Sequence, residues 1–147
     1  DVLVATTDSR HFEPAEAAER VTAVVRAGWP VRLVCNRIDT TLRGNIGATT
    51  KALADEVAAL SGSRVVVLCA PAHPAADRHT IGGSQLLRGE RLEETEVAQD
   101  ARTPVRTSDV AAIIRDCAGS DSLTDLERFA ASRTEQWLDS LGIHPTD

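Results

Sequence analysis

The sequence has no methionine and a single lysine, Lys51. A chain without methionine does not begin at a start codon, and this one opens directly on an apolar stretch, "DVLVATT". Both features predict a trimmed piece of a longer protein. Basic residues are almost all arginine, so a mechanism that requires a buried lysine has one candidate. Aromatic residues make up 3% of the chain, too few for a base-stacking platform. The net charge of −6 argues against a nucleic-acid binder, which needs a basic surface to neutralise phosphates. A small anionic ligand stays open, because a few arginines can converge locally on an acidic protein. No apolar run approaches the roughly 20 residues that span a bilayer, and "DVLVATTDSR" has no basic region of secretory type. The three cysteines, Cys35, Cys69 and Cys117, are odd in number and widely spaced. They suggest neither a disulfide framework nor a CxxC pair. The expectation is buried thiols in a reducing cytoplasm.

Nucleotide signatures are also missing. There is no GxGxxG, and "GNIGATTKA" is not a phosphate loop: the pattern ends in Gly-Lys-Ser/Thr, whereas Lys51 follows Thr50 and precedes Ala52. His73, Asp77 and His79 have a loosely metal-like composition, but no helix or strand spacing converges them, so no metal site is expected.

What is present reads as one soluble globular domain: 147 residues, 42% hydrophobic and 26% charged. "DVLVATT" reads as a buried strand. Pro14 suits the first turn of a helix, with Ala17, Val21, Val24 and Val25 at helical spacing and Gly28 as the stop. "WPVRLVC" is a second strand. A second helix is expected from about Ile46 to Leu60, with Leu53, Val57 and Leu60 on one face, broken by "SGS". "RVVVLCA", Arg64 to Ala70, is a third strand, apolar without alternation, as in a sheet covered on both faces. The order βαβαβ predicts an α/β fold: an open, mainly parallel sheet flanked by helices in a Rossmann-like three-layer arrangement. The second half is less regular. "SQLLRGERLEE" predicts a β-hairpin turning at Arg88-Gly89, and Gly82-Gly83 a tight turn. Ser108 is a candidate N-cap for a helix over Asp109 to Cys117. Thr124 and Glu127 fit a capping box for a last helix to about Leu141.

In open α/β sheets ligands bind beyond the carboxyl ends of the strands. Three polar clusters follow the three strands: "TDSR", "NRIDTTLRGN" and "APAHPAADRHTIGG". They would gather on one edge. The second cluster lies at a helix N-terminus, whose free N–H groups attract anions. Gly44 lets backbone approach a ligand. Arg43 adds a planar fork for a carboxylate or phosphate. Asp39, Thr40 and Thr41 suit sugar hydroxyls. The set fits a small polyhydroxy acid. A purely structural reading competes: Asn45 or Thr41 capping the helix, and Arg43 pairing with a surface carboxylate. Likewise Arg10 either binds substrate or pairs with Glu13 or Asp8. Asp8 binds hydroxyls or caps its loop, and Arg78 reaches substrate or phosphate, or does not.

The blocks "TDSR", "IDTTLRGNIGA", "APAHPAADRHTIGG", "LLRGERLEETEVAQD" and "TPVRTSDV" run in order from Asp1 to about Asp116, with a weaker match at "SLTDLERFA". Together they resemble the four-carbon acid sugar kinase family. The resemblance implies a two-domain enzyme that phosphorylates acids such as threonate, erythronate or 3-oxo-tetronate on the terminal hydroxyl. An N-terminal domain would hold the acid sugar and a C-terminal domain ATP with Mg²⁺. By that resemblance residues 1–147 are most of the sugar-binding domain. The family's opening strand, with its Asp-Asp-Leu-Thr-Gly-Ala motif, would lie upstream, and the nucleotide-binding domain downstream. No cofactor is then expected on this piece, and the piece alone is expected to be inactive. Arg10 and Arg43 would meet the substrate carboxylate and Asp39 a hydroxyl. The substrate-binding set is Asp8, Arg10, Asp39, Thr40, Arg43, Gly44, Asn45 and Arg78. The general base would be a carboxylate, either Asp39 or one on the other segments. Thr95 and Asp100 lie in matching loops and read as structural.

Three positions depart from the pattern. Asn36-Arg37 stands where a basic pair is usual, Thr40 where serine is, and Asp77-Arg78 where Gly-Arg is. Asn36 removes a positive charge and Asp77 adds a negative one, which would weaken or alter acid binding. The alternative function is therefore a non-catalytic or degenerate sugar-acid-binding module. No nucleic-acid or membrane partner is expected. An unpaired sheet edge would favour self-association into a homo-oligomer.

Overall fold

A computed structural model describes residues 2–118. Helix α1 spans Pro14–Gly28, with proline in its first turn and Ala17, Val21 and Val25 buried. This is the stripe that the sequence spacing predicts, with Val24 half-buried beside it. Helix α2 spans Ile46–Ser61. Its first turns are the deeply buried part, at Ile46, Ala48, Thr49 and Thr50, whereas Leu53 and Val57 are half-buried and Leu60 is exposed. It ends at Gly62, which adopts the left-handed conformation and donates its N–H to the Ala58 carbonyl. The two helices pack together. They are also tied by a fork: Arg26 Nε and Nη2 donate to the two oxygens of the buried Glu56 at 2.6 and 2.9 Å. A buried carboxylate requires such a partner.

Strands β1 (Arg78–Ile81), β2 (Ser84–Leu87) and β3 (Glu90–Arg91) form an antiparallel sheet in the order β1-β2-β3. Both connections are two-residue turns with positive φ at each central residue: Gly82-Gly83 (57° and 81°) and Arg88-Gly89 (54° and 84°). That is the hairpin geometry whose twist matches the strands, and both turns fall where the sequence places them.

The parallel sheet expected from the sequence is not seen among the described residues. The stretches at 2–7, 31–35 and 64–70 are extended, but no backbone ladder joins them among the described residues, and the only sheet there is the antiparallel one. The fold remains α/β, with the sheet supplied by the hairpin region. Apolar, β-branched composition makes a chain extended; it becomes a strand only when a neighbour accepts its hydrogen bonds in register. The third stretch also alternates. Val65, Val67 and Cys69 are half-buried, while Val66, Leu68 and Ala70 face outward. It is covered on one face rather than two. Val2, Leu33 and Val66 are 90%, 78% and 55% exposed, so each of the three runs leaves apolar side chains open to solvent. Cys35 is exposed as well, contrary to the buried thiol expected. Cys69 packs against the core, and burial raises its pKa.

The core sits in the half that reads as irregular. Leu42, Ile46, Leu87, Leu92, Val97, Val105, Val110 and Ile114 form one buried cluster. It joins the corner before α2, the hairpin, two 3₁₀ turns at Leu92–Glu94 and Glu96–Gln99, and helix α3 (Val110–Ala118). The cap of α3 is not Ser108. Asp109 Oδ1 accepts the Ala112 N–H at 2.9 Å, the bond an N-cap makes to the third helical residue. Ser108 is buried, accepts the Leu92 N–H at 2.7 Å and hydrogen-bonds Glu93. The helix expected from Thr124 to Leu141 lies outside the described residues.

Candidate functional site

A cleft of about 360 Å³ opens between the loop after the first extended run and the corner that precedes α2. Its walls include Thr7, Asp8, Ser9, Arg10 and His11 from the loop, and Asn36, Arg37, Asp39, Arg43 and Asn45 from the corner. The convergence of two of the three polar clusters therefore holds even without a paired sheet. Helices α1 and α2 carry the two segments to it. Arg20 of α1 anchors the loop by donating to the Thr7 carbonyl at 3.4 Å and stacking its guanidinium on the Phe12 ring, 3.9 Å from the centroid. Just before α2, the Asn45 side chain reaches back and donates both amide hydrogens, to the Ser9 carbonyl at 3.0 Å and the Phe12 carbonyl at 2.8 Å. Two carbonyl partners fix which end of the amide is nitrogen. Asn45 thus ties the loop to the helix and does not cap the helix with its side chain.

Asp39 is the hub. Its Oδ1 accepts the Thr41 N–H at 3.1 Å, and its Oδ2 accepts the Thr41 hydroxyl at 3.0 Å and Arg43 Nε at 2.7 Å. Arg10 Nη2 approaches the same oxygen at 3.5 Å, so Arg10 pairs with Asp39 rather than with Glu13 or Asp8. Burial pushes the Asp39 carboxyl upward, but the Thr41 donors and the Arg43 guanidinium outweigh it and hold the pKa below the usual range. The Asp39 hydrogen bond raises the Arg43 pKa in turn. Arg43 is braced from its other side by Asp100, with Nη1 3.2 Å from Oδ2. The backbone N–H groups of Thr103 and Arg102 hold the Asp100 pKa down to about 2, with Arg43 adding to them.

Gly44 has φ of 89°, and a Cβ there would meet Arg10 Cγ at 2.9 Å and the Arg10 carbonyl oxygen at 3.2 Å. Glycine is what lets the Arg10 loop lie against the corner. The first turn of α2 has no acidic residue of its own, and Ile46 at its start lines the cleft.

The remaining candidates are placed differently. Thr40 is not among the cleft-lining residues; its carbonyl accepts Gln85 Nε2 at 2.7 Å. Arg78 lies on β1, away from the cleft walls. Its Nη1 donates to the Ala76 carbonyl at 2.8 Å, and its buried Nε has no partner among the described residues. Sequence reasoning passed over Thr7, Ser9, His11 and Arg37 as site residues. Their signal was position: Thr7, Ser9 and Arg37 belong to clusters following an apolar run, and His11 directly follows one of them. Asp100 had no such signal, because it meets Arg43 across 57 positions.

The family model described as "Sugar-binding N-terminal domain" matches residues 1–141. The chain is 42% identical over 116 residues to a D-erythronate kinase of Heliobacterium modesticaldum, a match covering 78% of this chain and 26% of that protein. It is 41% identical over 118 residues to a D-threonate kinase of Salmonella typhimurium, with the same coverage. The chain thus spans about a quarter of the curated relatives it matches. A crystal structure of a domain of unknown function from Bordetella bronchiseptica, a domain-swapped dimer with bound citrate, superposes with a TM-score of 0.70 at 29% identity. That match covers 78% of this chain and 28% of that one.

Proposed function

The chain belongs to the family of sugar-binding N-terminal domains, and on that premise we propose that it is the acid-sugar-binding part of an ATP-dependent kinase acting on the terminal hydroxyl of a four-carbon sugar acid of threonate, erythronate or 3-oxo-tetronate type. One observation carries the proposal: Arg10 and Arg43 converge on Asp39 at a cleft beside the N-terminus of α2. An acid sugar needs fixed cationic donors at one end and hydroxyl partners at the other. The two guanidiniums supply the first, and Asp8, Thr7 and Ser9 the second. The kinases named for D-erythronate and D-threonate are relatives with matching substrate chemistry, and the citrate in the Bordetella neighbour is a small polycarboxylate.

Asp39 is the organiser of the two arginines. A carboxylate that already accepts three hydrogen bonds and has a lowered pKa is a poor proton acceptor at neutral pH. On this reading ATP and Mg²⁺ are held by another part of the kinase, and catalysis by this part is positioning of the acceptor and neutralisation of its charge. The exposed apolar side chains of the three extended runs, with the domain-swapped dimer of the Bordetella neighbour, support self-association. A non-catalytic sugar-acid module is the second reading. It is favoured by Asn36, whose amide is engaged by the hydroxyls of Thr49 and Thr50 at 3.2 and 3.4 Å where the family pattern has a cation.

The test is calorimetric titration with D-erythronate, D-threonate and L-threonate, for the wild type and Arg43→Ala, beside an assay of the full-length protein for ATP-dependent phosphorylation. Saturable binding lost in the variant supports the site, and phosphorylation separates the two readings. A folded wild type that binds none of the acids refutes the proposal.

A further inference from the structure

We propose that Asp100 is a positioning residue for Arg43, fixing the guanidinium so that it presents its remaining donors to the acid group of the ligand. The inference rests on the acid-site reading above. Its basis is a division of labour between the two oxygens of one carboxylate. Oδ1 accepts the backbone N–H groups of Arg102 and Thr103, at 3.0 and 2.9 Å, and the Thr103 hydroxyl at 3.3 Å. Those bonds fix the carboxylate in a turn. Oδ2 is then left to take Arg43 Nη1 at 3.2 Å. Arg43 is caught between two anchors of different origin. Its Nε points to Asp39 and Thr41 of its own loop, and its Nη1 to a loop far along the chain. With both held, the plane of the fork has no freedom to rotate. Nη2 has no hydrogen-bond partner among the described residues, and it is the donor left for a carboxylate.

The pair is well placed for this role. Side-chain exposure is 28% for Arg43 and 25% for Asp100, low enough for order and high enough for a ligand to reach the arginine. Asp100 stays ionised across the neutral range, because its turn hydrogen bonds lower its pKa. Asp100 also carries a negative charge, which by itself repels an acid ligand. In a half-exposed, screened setting that repulsion is worth about twofold in affinity. An arginine that must be ordered at the moment of binding loses about tenfold. Positioning therefore outweighs repulsion, and the net effect of removing the brace is about fivefold weaker binding.

Asp100→Asn isolates the brace. Its Oδ1 keeps the turn, while a donor replaces the oxygen that faces Arg43. The full chain carrying this substitution is titrated with D-erythronate and D-threonate, alone and combined with Arg43→Lys. Arginine Nε–Hε NMR spectra are recorded without ligand. The expected results are about fivefold weaker binding, faster motion of the Arg43 Nε–Hε group, unchanged Arg102 and Thr103 amides, and, once Arg43 is lysine, no weakening by Asp100→Asn but about twofold tighter binding from the lost repulsion. Equal or tighter binding by the variant, or an unaltered Arg43 signal, overturns the proposal while the acid site stands. If the wild type binds neither acid, the acid site falls, and a role for the brace in serving a carboxylate falls with it.

Discussion

Gly44→Ala is the sharpest perturbation of this site, because it separates two costs. The first is backbone strain. At φ of 89° an L-residue sits in left-handed territory, at about 1–2 kcal/mol. The second is contact. The new methyl carbon would lie 2.9 Å from Arg10 Cγ, 3.2 Å from the Arg10 carbonyl oxygen and 3.4 Å from its Cα. Cγ can swing away, but the backbone oxygen moves only if the loop moves, and the loop is held by Asn45 and Arg20. Overpacking of this kind costs about a further 1–2 kcal/mol. The sum is about 2–4 kcal/mol. Gly62→Ala is the matched control: φ is 64° and nothing lies within 4 Å of the added carbon, so only strain remains, at about 1–2 kcal/mol. Urea unfolding of both variants measures the difference. Calorimetry then asks whether Gly44→Ala, by pushing Arg10 off Asp39, also weakens acid-sugar binding about tenfold. If Gly44→Ala loses no more stability than Gly62→Ala and binds acid as the wild type does, the close packing of Arg10 on the corner is not what shapes the site.

Three further outcomes are expected. Asp100 has a folded pKa of about 2, below its unfolded value of about 3.9, so its contribution to stability is complete above about pH 4 and is lost as the pH falls toward 2. Unfolding free energy measured between pH 4 and 2 should therefore decline less steeply in Asp100→Asn, and superimposable acid limbs would contradict the assignment. Gln85 is fully buried and joins the hairpin to the corner, donating to the Thr40 and Pro71 carbonyls at 2.7 and 3.3 Å and accepting from Thr80 at 2.6 Å. Gln85→Leu orphans those groups and should cost about 2–4 kcal/mol in urea unfolding, whereas a loss under about 0.5 kcal/mol would mean that the bridge is dispensable. Thiol labelling mapped by mass spectrometry at pH 7.5 should modify the exposed Cys35 before Cys69, whose burial raises its pKa; simultaneous modification would show that Cys69 is not shielded.

Local patterns were legible without coordinates. Helix α1 announced itself through Pro14 and the Ala17, Val21, Val25 stripe, because a helix is built from contacts three and four residues apart. The turns at Gly82-Gly83 and Arg88-Gly89 were legible because two-residue hairpins demand positive φ at both central positions. The corner chemistry of Asp39, Arg43 and Gly44 was legible as a set, since those residues are neighbours in the chain. What tertiary structure alone decided was everything that depends on a distant partner. Apolar runs at 2–7, 31–35 and 64–70 could be read as extended, but whether they pair depends on hydrogen bonds between chain segments many residues apart, and no such ladder joins them among the described residues. The same holds within the site. Asn45 looked like a helix cap until the Ser9 and Phe12 carbonyls arrived above it. Ser108 looked like one too, but was taken by Leu92 and Glu93, leaving the cap to Asp109. A polar side chain offers donors and acceptors in its sequence, and only the folded chain decides which of them is spent on structure and which is left for a ligand.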